Sequence, residues 1–134
     1  LSNENFLICA NDGAKMSAVD YLEAEARRTE LRGRMSAFYE KYDLLICPTL
    51  ACLPFPVGHS QPPHWRKSDG EFMGMATPFD LTGQPAISIP CGFTDHGAPV
   101  GLQIVGPYGA DALVLRAARA FEKAVKLEKV HPPI

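Results

Sequence analysis

The sequence has no long apolar run and no excess of charge of one sign. No stretch approaches the ~20 consecutive apolar residues that a helix needs to cross a bilayer, and residues 1–15 lack the charged-then-apolar order of a secretory signal. The formal net charge of −2 and the pI near 6.1 leave no basic patch for nucleic acid or for an anionic membrane. We therefore predict a soluble, cytoplasmic chain that binds neither nucleic acid nor membrane.

Cysteine is too scarce for a secreted, disulfide-built scaffold. The four cysteines are Cys9, Cys47, Cys52 and Cys91. Their apolar surroundings predict free thiols. The spacing from Cys47 through His59 to His64 superficially offers sulfur and nitrogen ligands for zinc. It matches no tight finger spacing, and the intervening prolines limit how the loop can converge, so we predict no metal site and no cofactor.

The signatures of common catalytic sites are also missing. The chain contains no Gly-x-Ser-x-Gly, no Ser-x-x-Lys, and no glycine-rich phosphate loop. Ser88, which lies between two isoleucines, is interpreted as a packed, hydrogen-bonded strand serine. Cys91 and His96 could be drawn as a thiol and a base, but a core cysteine and a solvated histidine are the simpler interpretation. Asp69 and Glu71 indicate a solvated loop face more than an acid/base pair.

The composition itself is that of an ordinary globular domain, with 46% hydrophobic and 21% charged residues in 134. Ser17 and Asp20 form a capping-box pattern that opens an amphipathic helix over residues 17–41. The apolar run 43–47 predicts a strand covered on both faces. The prolines that follow predict a long irregular loop over residues 48–70, whereas residues 1–15 are expected to be an irregular lead-in.

The second half predicts a short helix, two strands and a terminal helix. The stretch "EFMGMATPFDLTG", residues 71–83, favours a short buried or ligand-facing helix that Gly83 ends as a C-cap. The runs "AISIP" and "VGLQIVG" are expected to pair antiparallel across the turn "DHGAP". A final amphipathic helix is capped by Asp111 or the glycine before it and ends near Lys126. Three such apolar strands need further cover, and the chain begins without methionine, so we expect an α/β fragment of a larger domain.

The order of these motifs resembles the C-terminal third of the amidase signature family, over residues 13–126. Its most specific parts are "TGQPAISIPCGF" and "GLQIVG". The resemblance implies an α/β fold with a mixed central sheet flanked by helices. It also implies an enzyme that hydrolyses carboxylic amides through two serines and a lysine. All three belong upstream of the region represented by these 134 residues, so no catalytic residue can be assigned. The resemblance thus implies an inactive isolated chain, a small amide substrate, and the N-terminal catalytic region as partner.

The resemblance also implies that residues 49–57 and 72–79 close one side of the substrate pocket. The predicted pocket residues are Thr49, Phe55, Phe72, Met73, Thr77 and Phe79. Alternatively, these segments pack against the absent part of the domain. A structural corner is predicted at Asp80, Gly83, Gln84 and Pro85, with Asp80 where many relatives carry asparagine.

Two branches of the family differ in function. One contains stand-alone amidases, and the other contains the glutaminase subunit of the aminoacyl-tRNA amidotransferase. In the glutaminase branch, an acidic residue suited to the ammonium group of glutamine commonly precedes the corner. The corresponding stretch "FMGMATP" has none, which favours a general amidase with an apolar or aryl substrate. A third hypothesis is a free-standing binding or structural domain that completes its sheet by forming a homodimer.

Overall fold

The computed structural model describes residues 4–59, 62–63 and 73–126. Within these ranges the chain forms helices and a single sheet, which confirms the α/β class. The elements in chain order are α1 (Glu4–Gly13), α2 (Ala18–Tyr39), β1 (Leu45–Pro48), α3 (Thr77–Thr82), β2 (Ala86–Phe93), β3 (Pro99–Val105) and α4 (Asp111–Val125). In the described part of the loop after β1, residues 49–59 contain neither helix nor strand.

The three strands are arranged in the order β1-β3-β2, and both pairings are antiparallel. The predicted hairpin between β2 and β3 is therefore confirmed. Its turn places Gly97 at a φ of 78°, and the backbone of Thr94 pairs with that of Ala98. β2 carries an irregularity between Pro90 and Gly92, where its register against β3 shifts by one residue.

One face of the sheet packs against α4 and forms the core. Ile89 of β2, Ile104 of β3 and Ala118 of α4 are buried together. α4 begins after Ala110, whose side chain cannot cap a helix. The prediction of a cap at Asp111 or at a preceding glycine is therefore wrong, because Asp111 is already the first helical residue. The helix ends at Lys126, which adopts a left-handed conformation, close to the predicted end.

The prediction that β1 is covered on both faces is wrong for the described residues. Burial alternates along β1, and the side chain of Ile46 is 61% exposed. The reason is the strand order: α4 packs on β2 and β3, whereas β1 lies at the edge of the sheet, beyond the reach of that helix. An apolar run alone does not distinguish a central strand from an edge strand.

Ser17 caps α2 as predicted. Its hydroxyl accepts from the backbone N–H of Asp20 at 3.2 Å, and Asp20 Oδ2 accepts from the backbone N–H of Ser17 at 2.8 Å. The bonds from the Ser17 side chain and backbone lower the pKa of the Asp20 carboxyl. No residue of α2 is buried, and none of the helices in the described ranges is both long and apolar enough to cross a membrane.

The prediction of an irregular lead-in is wrong for residues 4–13, which form α1. Asn11 and Asp12 lie in the last turn of α1, and Gly13 is its last helical residue. The apolar side chains Phe6, Leu7 and Ile8 are all exposed. Because the described part of the chain buries none of these side chains, the sequence of α1 does not show the apolar periodicity of a helix that packs on a core.

Candidate functional site

An apolar cavity of about 710 Å³ opens at the end of the sheet where β1 leaves it. The loop after β1 forms one wall, and the adjoining parts of β2 and β3 form the other. The apolar side chains in its lining include Leu50, Leu53, Phe55, Ile89 and Val100. A cavity of this size with few polar groups has the character of a small-molecule site for an apolar ligand.

Two hydroxyl groups form a polar point in this apolar lining. Thr49 Oγ1 and Ser88 Oγ lie 2.6 Å apart, which is hydrogen-bond distance, and either atom could be the donor. Thr49 follows β1 and its backbone N–H donates to the carbonyl of Gly101 on β3 at 3.0 Å. Ser88 comes from β2, on the other side of β3. Side chains from both outer strands therefore meet across the middle strand.

The predicted pocket residues are divided between different places. Thr49 and Phe55 line the 710 Å³ cavity. Met73, Thr77 and Phe79 do not line it. Phe79 is a buried residue of α3, 8% exposed, and the Thr77 hydroxyl donates to the Met73 carbonyl at 3.1 Å. Phe72 lies outside the described residues. The segment before the corner thus contributes no described residue to the cavity wall.

The corner residues do lie together. Phe79, Asp80, Gly83, Gln84 and Pro85 line a separate cleft of about 480 Å³. Gly83 ends α3 as predicted: its φ is 72°, and its backbone N–H donates to the Phe79 carbonyl at 2.8 Å. Asp80 is exposed on the first turn of α3, and no hydrogen bond joins its side chain to any described residue. This geometry is that of a structural turn.

Two arginines that the sequence analysis missed hold α3 in place. Arg28 Nε donates to the Leu81 carbonyl at 2.6 Å, and Arg32 Nε donates to the Thr82 carbonyl at 3.1 Å. The last carbonyls of a helix have no partner within the helix, so they accept well from a cation. The signal available in the sequence was the spacing of four between the arginines, which places both on one face of α2.

Gln103 is a second residue that the sequence analysis missed. Its side chain is buried on the face of the sheet opposite α4, where Nε2 donates to the Met75 carbonyl at 2.7 Å and to Cys47 Sγ at 3.2 Å. These bonds connect the segment before α3 to the sheet. The signal was a lone glutamine inside the apolar run "VGLQIVG", since a buried amide requires hydrogen-bond partners.

The alternative catalytic interpretations gain nothing from the structure. Ser88 lies on β2 and is bonded to another hydroxyl, not to a base, which confirms a hydrogen-bonded strand serine. It is exposed, however, so the prediction that it is packed is wrong. Cys91 Sγ donates to the Val100 carbonyl at 3.4 Å. Over the described ranges, no three His, Cys, Asp or Glu side chains are grouped to hold a metal ion. His64, Asp69 and Glu71 lie outside those ranges.

The family model described as Amidase matches residues 5–115. The chain belongs to the amidase family. This match confirms the resemblance seen in the order of the motifs and covers most of the elements described above.

Known relatives of this chain include both branches of the family. It is 41% identical to a glutamyl-tRNA(Gln) amidotransferase subunit of Dehalococcoides mccartyi, over 84% of this chain and 22% of that protein. A bacterial aryl acylamidase of the amidase signature family superimposes with a TM-score of 0.72 at 30% identity, covering 85% of this chain and 24% of that one. The corresponding amidotransferase subunit of Thermotoga maritima gives a TM-score of 0.62 at 30% identity, covering 92% and 27%. The chain thus spans about a quarter of these relatives' length.

Proposed function

We propose that this chain is part of an enzyme that hydrolyses carboxylic amides, and that it forms one wall of the substrate pocket. The observation that carries the proposal is the apolar cavity of about 710 Å³ in a member of the amidase family. Its lining is apolar apart from the Thr49 and Ser88 hydroxyls, Cys52 and backbone groups. Such a cavity accommodates an alkyl or aryl substituent next to the bond that is cleaved.

The catalytic groups are supplied by other parts of the complete protein, meaning here the product of the reading frame that contains these 134 residues. Two considerations support this. The described residues offer no activated nucleophile, and the family resemblance assigns catalysis to two serines and a lysine outside this region. The 134-residue chain alone is accordingly expected to be inactive. A cytoplasmic location and a homodimer stay predictions.

An amidase assay with a variant of the cavity wall tests this proposal. The complete protein is expected to hydrolyse simple aryl amides such as acetanilide, and the 134-residue chain is expected not to. Leu53→Trp fills the cavity and should raise KM for the aryl amide at least several-fold. Leu115→Trp is the matched control, because Leu115 is exposed on α4 and lies outside the cavity lining. Failure of the complete protein to cleave any amide would refute the proposal.

A second candidate is the glutaminase subunit of an aminoacyl-tRNA amidotransferase, and one observation favours it. The chain is 41% identical to a glutamyl-tRNA(Gln) amidotransferase subunit over 84% of its length, although in superpositions the aryl acylamidase and the Thermotoga maritima subunit are equally identical to it, at 30%. The exposed Met73, Met75 and Leu81 around α3 nevertheless provide no charge for the ammonium group of glutamine. Comparing kcat/KM for glutamine and for acetanilide distinguishes the two, since a preference for glutamine identifies the glutaminase.

A further inference from the structure

The meeting of Thr49 and Ser88 depends on a glycine in the middle strand. Outer strands of a three-stranded sheet lie roughly 9 to 10 Å apart, twice the spacing of neighbours, which is too far for short hydroxyl side chains to bond across an ordinary residue. At Gly101 no side chain intervenes. A Cβ built there would lie 2.7 Å from Thr49 Oγ1 and 3.0 Å from Ser88 Oγ. Any other residue would therefore occupy the space that the two hydroxyls share.

The hydroxyl pair, Thr49 Oγ1 and Ser88 Oγ, has one proton more than its internal bond uses. Each hydroxyl carries one O–H donor. One proton lies between the oxygens at 2.6 Å, and neither side chain has another hydrogen bond to the described parts of the chain. The remaining O–H of the pair is thus available, and both residues line the apolar cavity. A donor in apolar surroundings binds an acceptor more favourably than an apolar group.

We propose that the hydroxyl pair determines substrate specificity in this cavity by donating its free O–H to an acceptor oxygen on an otherwise apolar substituent. Ether, carbonyl and nitro oxygens are the acceptor groups concerned. This inference rests on the proposed amide hydrolysis, and it names the substrate class: aryl or alkyl amides that carry such an oxygen at the end remote from the cleaved bond. A substituent without the oxygen leaves the O–H unpaired, which weakens binding about tenfold.

The experiment compares two substrates of equal shape. We would measure kcat/KM of the complete protein for amides that carry a methoxy or an ethyl group at the same ring position, placed on the acyl side in one pair and on the amine side in another. In at least one pair the wild-type protein is expected to prefer the methoxy substrate about tenfold. The double variant Thr49→Val, Ser88→Ala should bring the ratio close to one, mainly by losing activity on the methoxy substrate.

Single variants and a control keep the test interpretable. Thr49→Val preserves shape and leaves one unanchored hydroxyl, so it should lower the preference in part. Thr29→Val is the control: Thr29 is exposed on α2 and its hydroxyl donates to the Glu25 carbonyl, far along the chain from the cavity, so the preference should be retained. An unchanged methoxy preference in the double variant, with hydrolysis intact, would overturn the inference and leave the proposed function standing.

Direct binding separates failure of the two proposals. Calorimetric titration of the complete protein with the methoxy and ethyl compounds needs no turnover. If no amide is cleaved but the methoxy compound still binds about tenfold more tightly, and the double variant abolishes that difference, the proposed function fails and the role of the hydroxyl pair stands. Equal affinity of the wild-type protein for both compounds overturns the inference.

Discussion

Arg32 reaches from α2 to the end of α3, where its Nε donates to the carbonyl of Thr82 at 3.1 Å. Arg28, one turn earlier, donates in the same way to the carbonyl of Leu81 at 2.6 Å. Helix C-termini concentrate negative partial charge on carbonyls that have lost their partners. The two arginines therefore fix the position of α3, and with it the corner that leads into β2.

Removing these arginine contacts should destabilise the complete protein. Arg28→Ala and Arg32→Ala are each expected to cost about 1 kcal/mol, because each leaves a helix-terminal carbonyl without its charged donor. Arg34→Ala is the matched control: Arg34 is exposed and pairs with Glu30 alone, so its loss should stay within about 0.5 kcal/mol. Urea denaturation measures the free energy of unfolding of all three variants. Equal losses in the three would contradict the anchoring of α3 by Arg28 and Arg32.

Gly106 should tolerate no side chain. A Cβ at this position would lie 2.6 Å from Val114 Cγ2, and Val114 is buried in α4. We expect Gly106→Ala to lower the free energy of unfolding by about 1–3 kcal/mol through overpacking. In a double-mutant cycle with Val114→Ala, the two changes should be less harmful together than their sum, by about 1 kcal/mol. Simple additivity would show that the strain arises elsewhere.

Gly33 and Gly58 should respond oppositely to alanine. Neither has an atom within 4 Å of a Cβ built on it. Gly33 lies inside α2, so Gly33→Ala should stabilise the protein by about 0.5–1 kcal/mol. Gly58 has a φ of 93°, so Gly58→Ala should cost about 1–2 kcal/mol. Thermal denaturation distinguishes them, and a shift of the same sign for both would refute the explanation from backbone conformation.

Tyr39 should make stability depend on alkaline pH. Its hydroxyl is buried and has no hydrogen-bond partner in the described part of the chain; burial first, and the neighbouring Cys47 second, raise its pKa to about 12 from 10.0. The folded state then holds the proton more tightly than the unfolded state. Its contribution is complete below pH 10 and is lost as pH rises from 10 towards 12.

Tyr39→Phe tests this dependence directly. The variant should be as stable as the parent protein or more stable near pH 8, since it removes a polar group buried without a partner. Its urea midpoint should then fall less steeply between pH 10 and 12. Tyr108→Phe is the control, because Tyr108 is exposed and its removal should keep the steep fall. Parallel pH profiles for the parent protein and Tyr39→Phe would contradict the assignment.

Features that depend on neighbouring residues were predictable from the sequence. The capping box at Ser17, the left-handed C-cap at Gly83 and the hairpin around Gly97 each follow from a few adjacent side chains and their backbone preferences. α1 was not predictable in this way, because its apolar residues are not arranged against a core. The exposure of Ile46 was likewise hidden, since it depends on which strands α4 covers.

The site was less predictable because its contacts join distant parts of the chain. Thr49 and Ser88 are separated by 39 residues, and Arg28 and Leu81 by 53. Successive side chains of a strand point to opposite faces, so Ser88, which lies between the core-facing Ile87 and Ile89, is on the other face of β2. The alternation along β2 thus indicates that Ser88 faces away from the two isoleucines, whereas its partner Thr49, beyond β3, could not be read from β2 alone.

The position of β3 between β1 and β2 also sets the order in which the sheet can assemble. β2 and β3 are joined by a short turn, and hairpins of this kind form in about 1–10 μs. β1 must close a far longer stretch of chain, between Pro48 and Pro99, before it pairs with β3, and this costs more conformational entropy. The hydrogen bond between Thr49 and Ser88 can form only once β1 has paired with β3. The selectivity proposed for the hydroxyl pair would thus be acquired only when β1 pairs with β3.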